Sequence, residues 1–174
     1  MALPDSFKVA NGTAKTAKSS GGDSTITLAS LANGSARQGT KIDLGTPRDE
    51  EWACRLAVEM AATPTAGNAV DVYWAPSSSA TAGTDNPGNV TGTDAAYAGY
   101  SSNLDATLPQ LQYVGSLILT AQATSTVQVG EIGRFKPNDR YGSPVIVNRG
   151  GSAFHSSDTN IVLTMRPITA SVED

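Results

Sequence analysis

The chain has 174 residues with a net charge of −4 and a pI near 4.9, which is one domain's length and gives no electrostatic case for nucleic-acid binding. Charged residues are only 16%, while Ala, Gly, Ser and Thr together make up about 45%, a balance that argues against a helical bundle. The apolar 39% is arranged in alternation along much of the chain, which argues against disorder.

Residues 1–23 are polar, rich in Gly, Ser, Thr and Lys, and lack periodicity; they are expected as an extended N-terminal arm. Lys8, Lys15 and Lys18 form the only local basic cluster, and such an arm is expected to lie on a partner. No basic region followed by an apolar run opens the chain, so synthesis in a cytoplasm without a secretory signal is the expectation. No apolar stretch is long enough to span a membrane as a helix.

Ile26 and Leu28 alternate with Thr25 and Thr27, predicting a short strand. Asn33-Gly34 offers a tight hairpin turn into a return strand over about 38–44, which Gly45-Thr46-Pro47 breaks. The clearest pattern comes next. Trp52, Cys54, Leu56, Val58 and Met60 share one parity, and Val70, Val72 and Trp74 continue it after a turn-rich connection. Matching parity predicts an antiparallel hairpin whose inner face carries both tryptophans. Glu51, Glu59 and Asp71 fall on its outer face, where solvent or Arg55 would satisfy them.

Periodicity disappears over residues 77–107, a long loop dense in turn formers; loops of that length usually carry function. Tyr97 and Tyr100 are its candidate anchors, either on a partner or on their own sandwich. Leu111, Tyr113, Gly115, Leu117 and Leu119 resume a strand pattern, with Val114 and Ile118 suggesting a partly covered second face. Val127 and Val129 begin another strand, and Gly130 and Gly133 allow a bulge before Ile132 and Phe135. Lys136-Pro137-Asn138-Asp139 is a turn, 145–147 a short strand, and Ile161, Leu163 and Met165 the last strand, stopped by Pro167.

Eight strands and no helix predict an all-β fold: a single antiparallel β-sandwich over 24–170, jelly-roll-like, with the arm before it and a short tail at 171–174.

Catalytic arrangements are scarce. The single histidine, His155, lies in a Gly- and Ser-rich turn without a nucleophile elbow and is read as a surface residue. One Cys and one His exclude the usual zinc ligand sets, and Cys54 reads as a small buried hydrophobe. Asp85, Asp94 and Asp105 lack the spacing of a dedicated calcium loop. Asn11, Asn33 and Asn89 open glycosylation sequons, which mean little without export. No catalytic, metal or cofactor site is expected, and no phosphate loop is present.

The run KIDLGTPRDEEWACRLAVEMAATPTAGNAVDVYWAPSSSATAGTDNPGNVTGTDAAYAGYSSNLD, continued by QLQYVGSLILTAQATSTVQVGEIGRFKPNDRYGSPVIVNRGG, resembles small structural proteins encoded by tailed bacteriophages. The resemblance covers most of the chain beyond about Thr40. It implies a non-enzymatic virion role and transfers no functional residue. Three expectations from different classes remain. The first is a capsid decoration (cement) protein that partners the major capsid protein, as a homo-oligomer and by analogy a trimer. The second is a tail, collar or baseplate part, or a receptor- or carbohydrate-contacting module using Tyr97, Tyr100 and Tyr141. The third is an enzyme, which the sparse acids and single histidine favour least.

Overall fold

The computed structural model describes residues 6–45 and 51–173, with side chains over 12–45 and 51–168. The expected break at Thr46-Pro47 lies outside the described residues. The architecture is all-β, two antiparallel-rich sheets packed face to face.

The first sheet holds β1 (Ser6–Asn11), β2 (Lys15–Lys18), β3 (Ser24–Thr25), β6 (Glu51–Glu59), β10 (Val127–Phe135) and β12 (Val162–Glu173), in the order β10-β6-β12-β2-β3 with β1 also on β12. The second holds β4 (Ala36–Gln38), β5 (Ile42–Asp43), β7 (Ala69–Ser77), β8 (Ala95–Tyr97), β9 (Gln112–Ile118) and β11 (Tyr141–Arg149), in the order β8-β4-β11-β7-β9 with β5 also on β11. The described residues therefore contain twelve strands, not eight. Those added to the expected set are β1, β2, β8 and the division of the expected 38–44 strand into β4 and β5. Eight principal strands pair in nested fashion: β7 with β9, β6 with β10, β4 with β11, and β2 with β12.

The alternation over 52–60 is reproduced: Trp52, Cys54, Leu56, Val58 and Met60 are buried, while Glu51 and Arg55 are exposed. So is that of Val70, Val72 and Trp74. The expected hairpin between them is not formed. β6 pairs with β10 and β12, and β7 pairs with β11 and β9, so the two strands lie in opposite sheets. Matching parity states only that both apolar faces look into one core. Strands facing one another across about 10 Å meet that condition as well as neighbours do. The Asn33-Gly34 turn likewise joins no hairpin. β3 pairs in parallel with β2, whereas β4 pairs with β8 and β11, and residues 26–35 carry the chain from one sheet to the other.

The main core lies between the sheets and includes Trp52, Leu56, Val58, Trp74, Ile146, Phe154 and Leu163, all at most 2% exposed. Each such aliphatic side chain contributes roughly 1.5–3 kcal/mol by leaving water. The Trp74 and Phe135 rings sit 5.6 Å apart at a tilt of 51°, a favourable aromatic geometry.

A second, smaller core lies on the other side of the second sheet. Ala36, Ala75, Val145 and Val147 there meet Val90, Tyr97, Leu108 and Leu111 from the long connection. Residues 78–111 thus form a third layer, containing β8, the single-turn helix α1 (Leu104–Thr107) and a 3-10 turn at Leu108–Gln110. The helical turns depart from the all-strand expectation, since two short turns leave no apolar periodicity to read.

The expected bulge near Gly133 is present: the β10–β6 register shifts between Glu131 and Gly133. A second shift, between Val72 and Tyr73 opposite β9, breaks the single parity expected over 111–119. Val114 and Leu117 are buried in the main core, whereas Tyr113 is 55% exposed. Pro167 does not end the last strand, which runs on through Glu173. Most of the expected C-terminal tail is therefore strand.

The segment expected as an arm is paired over its described part. β2 lies on β12, and β1 runs antiparallel to the end of β12, from Asn11 opposite Ile168 to Ser6 opposite Glu173. β6 leaves β12 at Ile168, so among the described residues 169–173 pair with β1 alone. Among the described residues, β1 and the end of β12 form an antiparallel pair that runs beyond the last β6 pairing at Ile168.

β5 is pinned by a two-pronged ion pair. Arg140 Nε and Nη2 each donate to Asp43 at 2.8 Å, and the Gly45 N–H donates to the same carboxylate at 2.8 Å. Chiefly the hydrogen bond from Arg140 holds the Asp43 carboxyl down to about 2. A depressed carboxyl pKa stabilises the fold above the unfolded value and loses that contribution as pH falls through the folded one. Stability from this pair should therefore disappear between about pH 4 and pH 2. Solvent exposure of both side chains keeps that contribution small. Acid denaturation of Asp43→Asn, compared with the parent, should show a shallower loss in that window.

Candidate interaction surfaces

The residues expected to carry interactions do not converge. Lys15 Nζ donates to Asp23 at 3.1 Å, which ties β2 to the turn before β3. Asp23 also accepts from the Thr16 N–H at 2.8 Å. Lys18 is half-buried at the end of β2. Lys8 belongs to β1, and its side chain lies outside the described residues.

Tyr97 and Tyr100 separate. Tyr97 is 4% exposed in the second core, and its hydroxyl donates to the Gly88 carbonyl at 2.6 Å. Burial pushes that hydroxyl up to about 12. It pins the loop to its own sandwich and is not a surface anchor. Tyr100 is half exposed and stays available. Tyr141 is half-buried, with the Arg140 guanidinium 5.2 Å from its ring centroid.

The three loop aspartates are used separately. Asp85 accepts from the Ser78 N–H and hydroxyl, which lowers its pKa. Asp94 accepts from the Thr27 N–H at 3.0 Å, the Thr27 hydroxyl at 2.6 Å and Arg37 Nε at 2.6 Å, fastening the loop to the approach of β4. Asp105 pairs with Arg149. Among the described residues, no group of three His, Cys, Asp or Glu side chains could hold a metal ion.

His155 donates its backbone N–H to the Glu59 carbonyl at 2.8 Å, and its Nδ1 accepts from the Ser157 N–H at 3.1 Å. Glu59, expected on a solvated face, is buried and accepts from Asn160 Nδ2 at 2.9 Å. Arg55 does not pair with Glu59 or Asp71; Asp71 pairs with Arg149, and Glu51 lies 3.7 Å from Arg134. Cys54 is fully buried, and burial pushes its thiol up to about 12, which makes it unreactive.

Two arrangements escape the sequence reading. The first is at Lys41, an isolated residue between two short strands. Its ammonium donates to Ser77 Oγ at 2.7 Å and to the carbonyls of Ser79 at 2.8 Å, Thr81 at 2.9 Å and Thr84 at 2.7 Å. Four acceptors share the three N–H groups of one cation, which makes it the hub of the 77–85 turn. Desolvation lowers its pKa, and Asp85 opposes that shift.

The second is an open cleft of about 530 Å³ on the outer side of the second sheet. Its walls are Tyr73 and Asp71 from β7, Tyr113 from β9, Arg149 from β11, Asp105 from α1 and Leu111 just after the 3-10 turn. The two tyrosine rings lie 5.3 Å apart at 58°. Arg149 Nε donates to Asp71 at 3.1 Å, and its Nη2 donates to Asp105. Ser116 links the other Asp71 oxygen to the Tyr113 hydroxyl, the latter at 2.5 Å. Burial raises the Tyr73 pKa, with Asp71 adding to it. The hydrogen bond to Asp105 raises that of Arg149. Simple alternation would face Tyr113 inward, and the register shift beside it turns it out.

No helix among the described residues is long and apolar enough to cross a membrane. Compared with known protein families and curated proteins, the chain matches no family model and no curated sequence.

Proposed function

We propose that this chain is a non-enzymatic structural protein of a tailed-phage virion, and within that class a capsid decoration protein. The reading starts from the sequence resemblance. The observation that carries it is the terminal ribbon: residues 169–173 pair only with β1 among the described residues. Two strands alone are marginal in water, so in this reading a partner surface covers the described pair. The major capsid protein is that surface in this reading, and the protein sits there as a homo-oligomer, a trimer by analogy.

The nested pairing supports a finer fold assignment. An eight-strand hairpin rolled so that successive pairs alternate between two sheets is a jelly roll, an architecture used by viral capsid domains. The mechanism is thermodynamic: a protein that binds only the assembled shell stabilises that shell by mass action. Production in the host cytoplasm and residence on the virion accompany this role.

Quantitative gels of purified particles test the reading. A decoration protein should approach the major capsid protein in copy number, and particles lacking it should lose tolerance to heat or low salt. Deleting residues 1–11 should leave the sandwich folded but strip the protein from shells. A copy number of a few to tens would instead place it in the tail, and full shell occupancy by the truncated chain would remove the ribbon's role.

A further inference from the structure

The cleft between Tyr73, Tyr113 and Arg149 is more than a clamp. Its ion pairs account for part of what is present: Arg149 joins β11 to β7 through Asp71 and to α1 through Asp105. They leave a set of solvent-facing polar groups at the cleft that the protein itself does not engage. Arg149 Nη1, the second carboxylate oxygen of Asp105 and the Tyr73 hydroxyl have no hydrogen-bond partner among the described residues. A donor, an acceptor and a hydroxyl that can be either thus line one open space.

Beside them stands an aromatic surface. Tyr113 is 55% exposed, and its hydroxyl is held by Ser116, which is itself held by Asp71. The ring is therefore fixed in orientation before any ligand arrives, and holding a side chain in advance removes much of the entropy cost of binding. Leu111, 6% exposed, closes one side with apolar surface.

We infer that this cleft is a binding site for a neutral saccharide. A pyranose presents an apolar C–H face and, around its edge, hydroxyls that donate and accept together. The exposed Tyr113 ring matches the face. Arg149 Nη1, the free Asp105 oxygen and the Tyr73 hydroxyl match the edge. Charge selects the class. Two carboxylates against one guanidinium leave the cleft at about −1, which repels uronates, sialylated sugars and phosphates. Both carboxylates share the one Arg149 guanidinium, so neither offers an amine an undivided ion pair. The open shape suits an oligosaccharide passing across the surface rather than an enclosed monosaccharide. Among the described residues no carboxylate pair flanks the site free of a cation, so the assignment is to binding and not to hydrolysis. This assignment stands or falls independently of the virion reading.

The test is titration of the isotopically labelled full chain, followed through its backbone amide resonances. The probes are lactose, cellotriose, maltotriose and diacetylchitobiose, with methyl glucuronide as the anionic comparison. At least one neutral probe should shift the amides of residues 71–73, 105–113 and 149, with millimolar affinity. Tyr113→Ala should weaken that binding by about 10-fold, equivalent to about 1.4 kcal/mol, because the sugar loses the ring it lies on. Tyr113→Phe should keep most of it, and Tyr100→Ala, which alters the exposed tyrosine away from the cleft, should leave it unchanged. Because Tyr113 is exposed, the folded spectrum of each variant serves as its own control. Absence of shifts with all four neutral probes at about 20 mM would overturn the inference. So would binding that survives Tyr113→Ala, or glucuronide binding as strong as that of the neutral sugars.

Discussion

Replacing Gly115 by alanine should destabilise the protein by about 3 kcal/mol or more, lowering its thermal midpoint by roughly 6–12 °C. Gly115 lies on β9 and Gly133 on β10, the strands that end the two sheets on the same side of the sandwich. Here the backbones come into direct contact. A Cβ on Gly115 would strike the Ile132 carbonyl oxygen, and one on Gly133 would strike the carbonyl oxygen of Val114. The obstacle in both cases is backbone held in a strand, not the end of a side chain that can rotate away. Both neighbours of the contact, Val114 and Ile132, are buried in the main core, so parting the strands would also open that core. Chemical denaturation of Gly115→Ala and Gly133→Ala checks the size of the effect. Gly67→Ala is the useful contrast, because its Cβ would meet nothing within 4 Å and only its positive φ of 88° would be strained. A Gly115→Ala protein as stable as the parent would mean that the two edges do not meet.

Replacing Lys41 by methionine should cost about 2–3 kcal/mol and loosen residues 77–85 selectively. Methionine retains most of the length and apolar stem of lysine but cannot donate. Ser77 Oγ and the three carbonyls of Ser79, Thr81 and Thr84 would lose the cation that gathers them. Bonds to a charged donor are worth about 1.5–3 kcal/mol each, but water can reach the exposed carbonyls of this turn and recover part of the loss. Arginine should not restore the parent's stability, since a planar guanidinium cannot address four acceptors grouped around a point. Amide exchange should rise within 77–85 before it rises in β6 or β11. Lys18→Met, which removes a lysine at the end of β2, should change stability by less than about 0.5 kcal/mol. Uniform loosening of the whole sandwich by Lys41→Met would show that the lysine supports the core rather than the turn.

The long loop and the cleft show how far local patterning reaches. Residues 77–107 carry no periodicity, and turn formers explain why: Asp85 and Asn89 take φ of 52° and 61°, values that Asp and Asn tolerate better than most residues. Nothing in this stretch announces that Val90 and Tyr97, with Leu108 and Leu111 just after it, will share a second core with Ala36, Ala75, Val145 and Val147. That core depends on which side of a sheet is left uncovered by the first. Tyr97 can thus be named as an anchor from the sequence but not assigned to its own domain. Simple alternation puts Tyr113 on the wrong face because one unpaired residue, Val114, reverses the parity between Tyr113 and Gly115. The cleft draws on β7, β9, β11 and α1, whose positions in sequence run from Asp71 to Arg149. Lys41 gives no signal at all, since its acceptors are mostly backbone carbonyls and every residue has one.

The sequence by itself determined the secondary-structure class and the inward face of the best strands. Trp52, Cys54, Leu56, Val58, Val70, Val72 and Trp74 are buried as their spacing requires. It did so because strand periodicity is a local property of the backbone: neighbouring side chains alternate whatever the strand pairs with. Only the tertiary structure decided partnership. β6 and β7 face one another across the core instead of lying side by side, and the last strand reaches back to the first. Pairing is a choice among strands with equivalent apolar faces. It is settled by how a long antiparallel hairpin can roll up, close its edges at Gly115 and Gly133, and bury one continuous core.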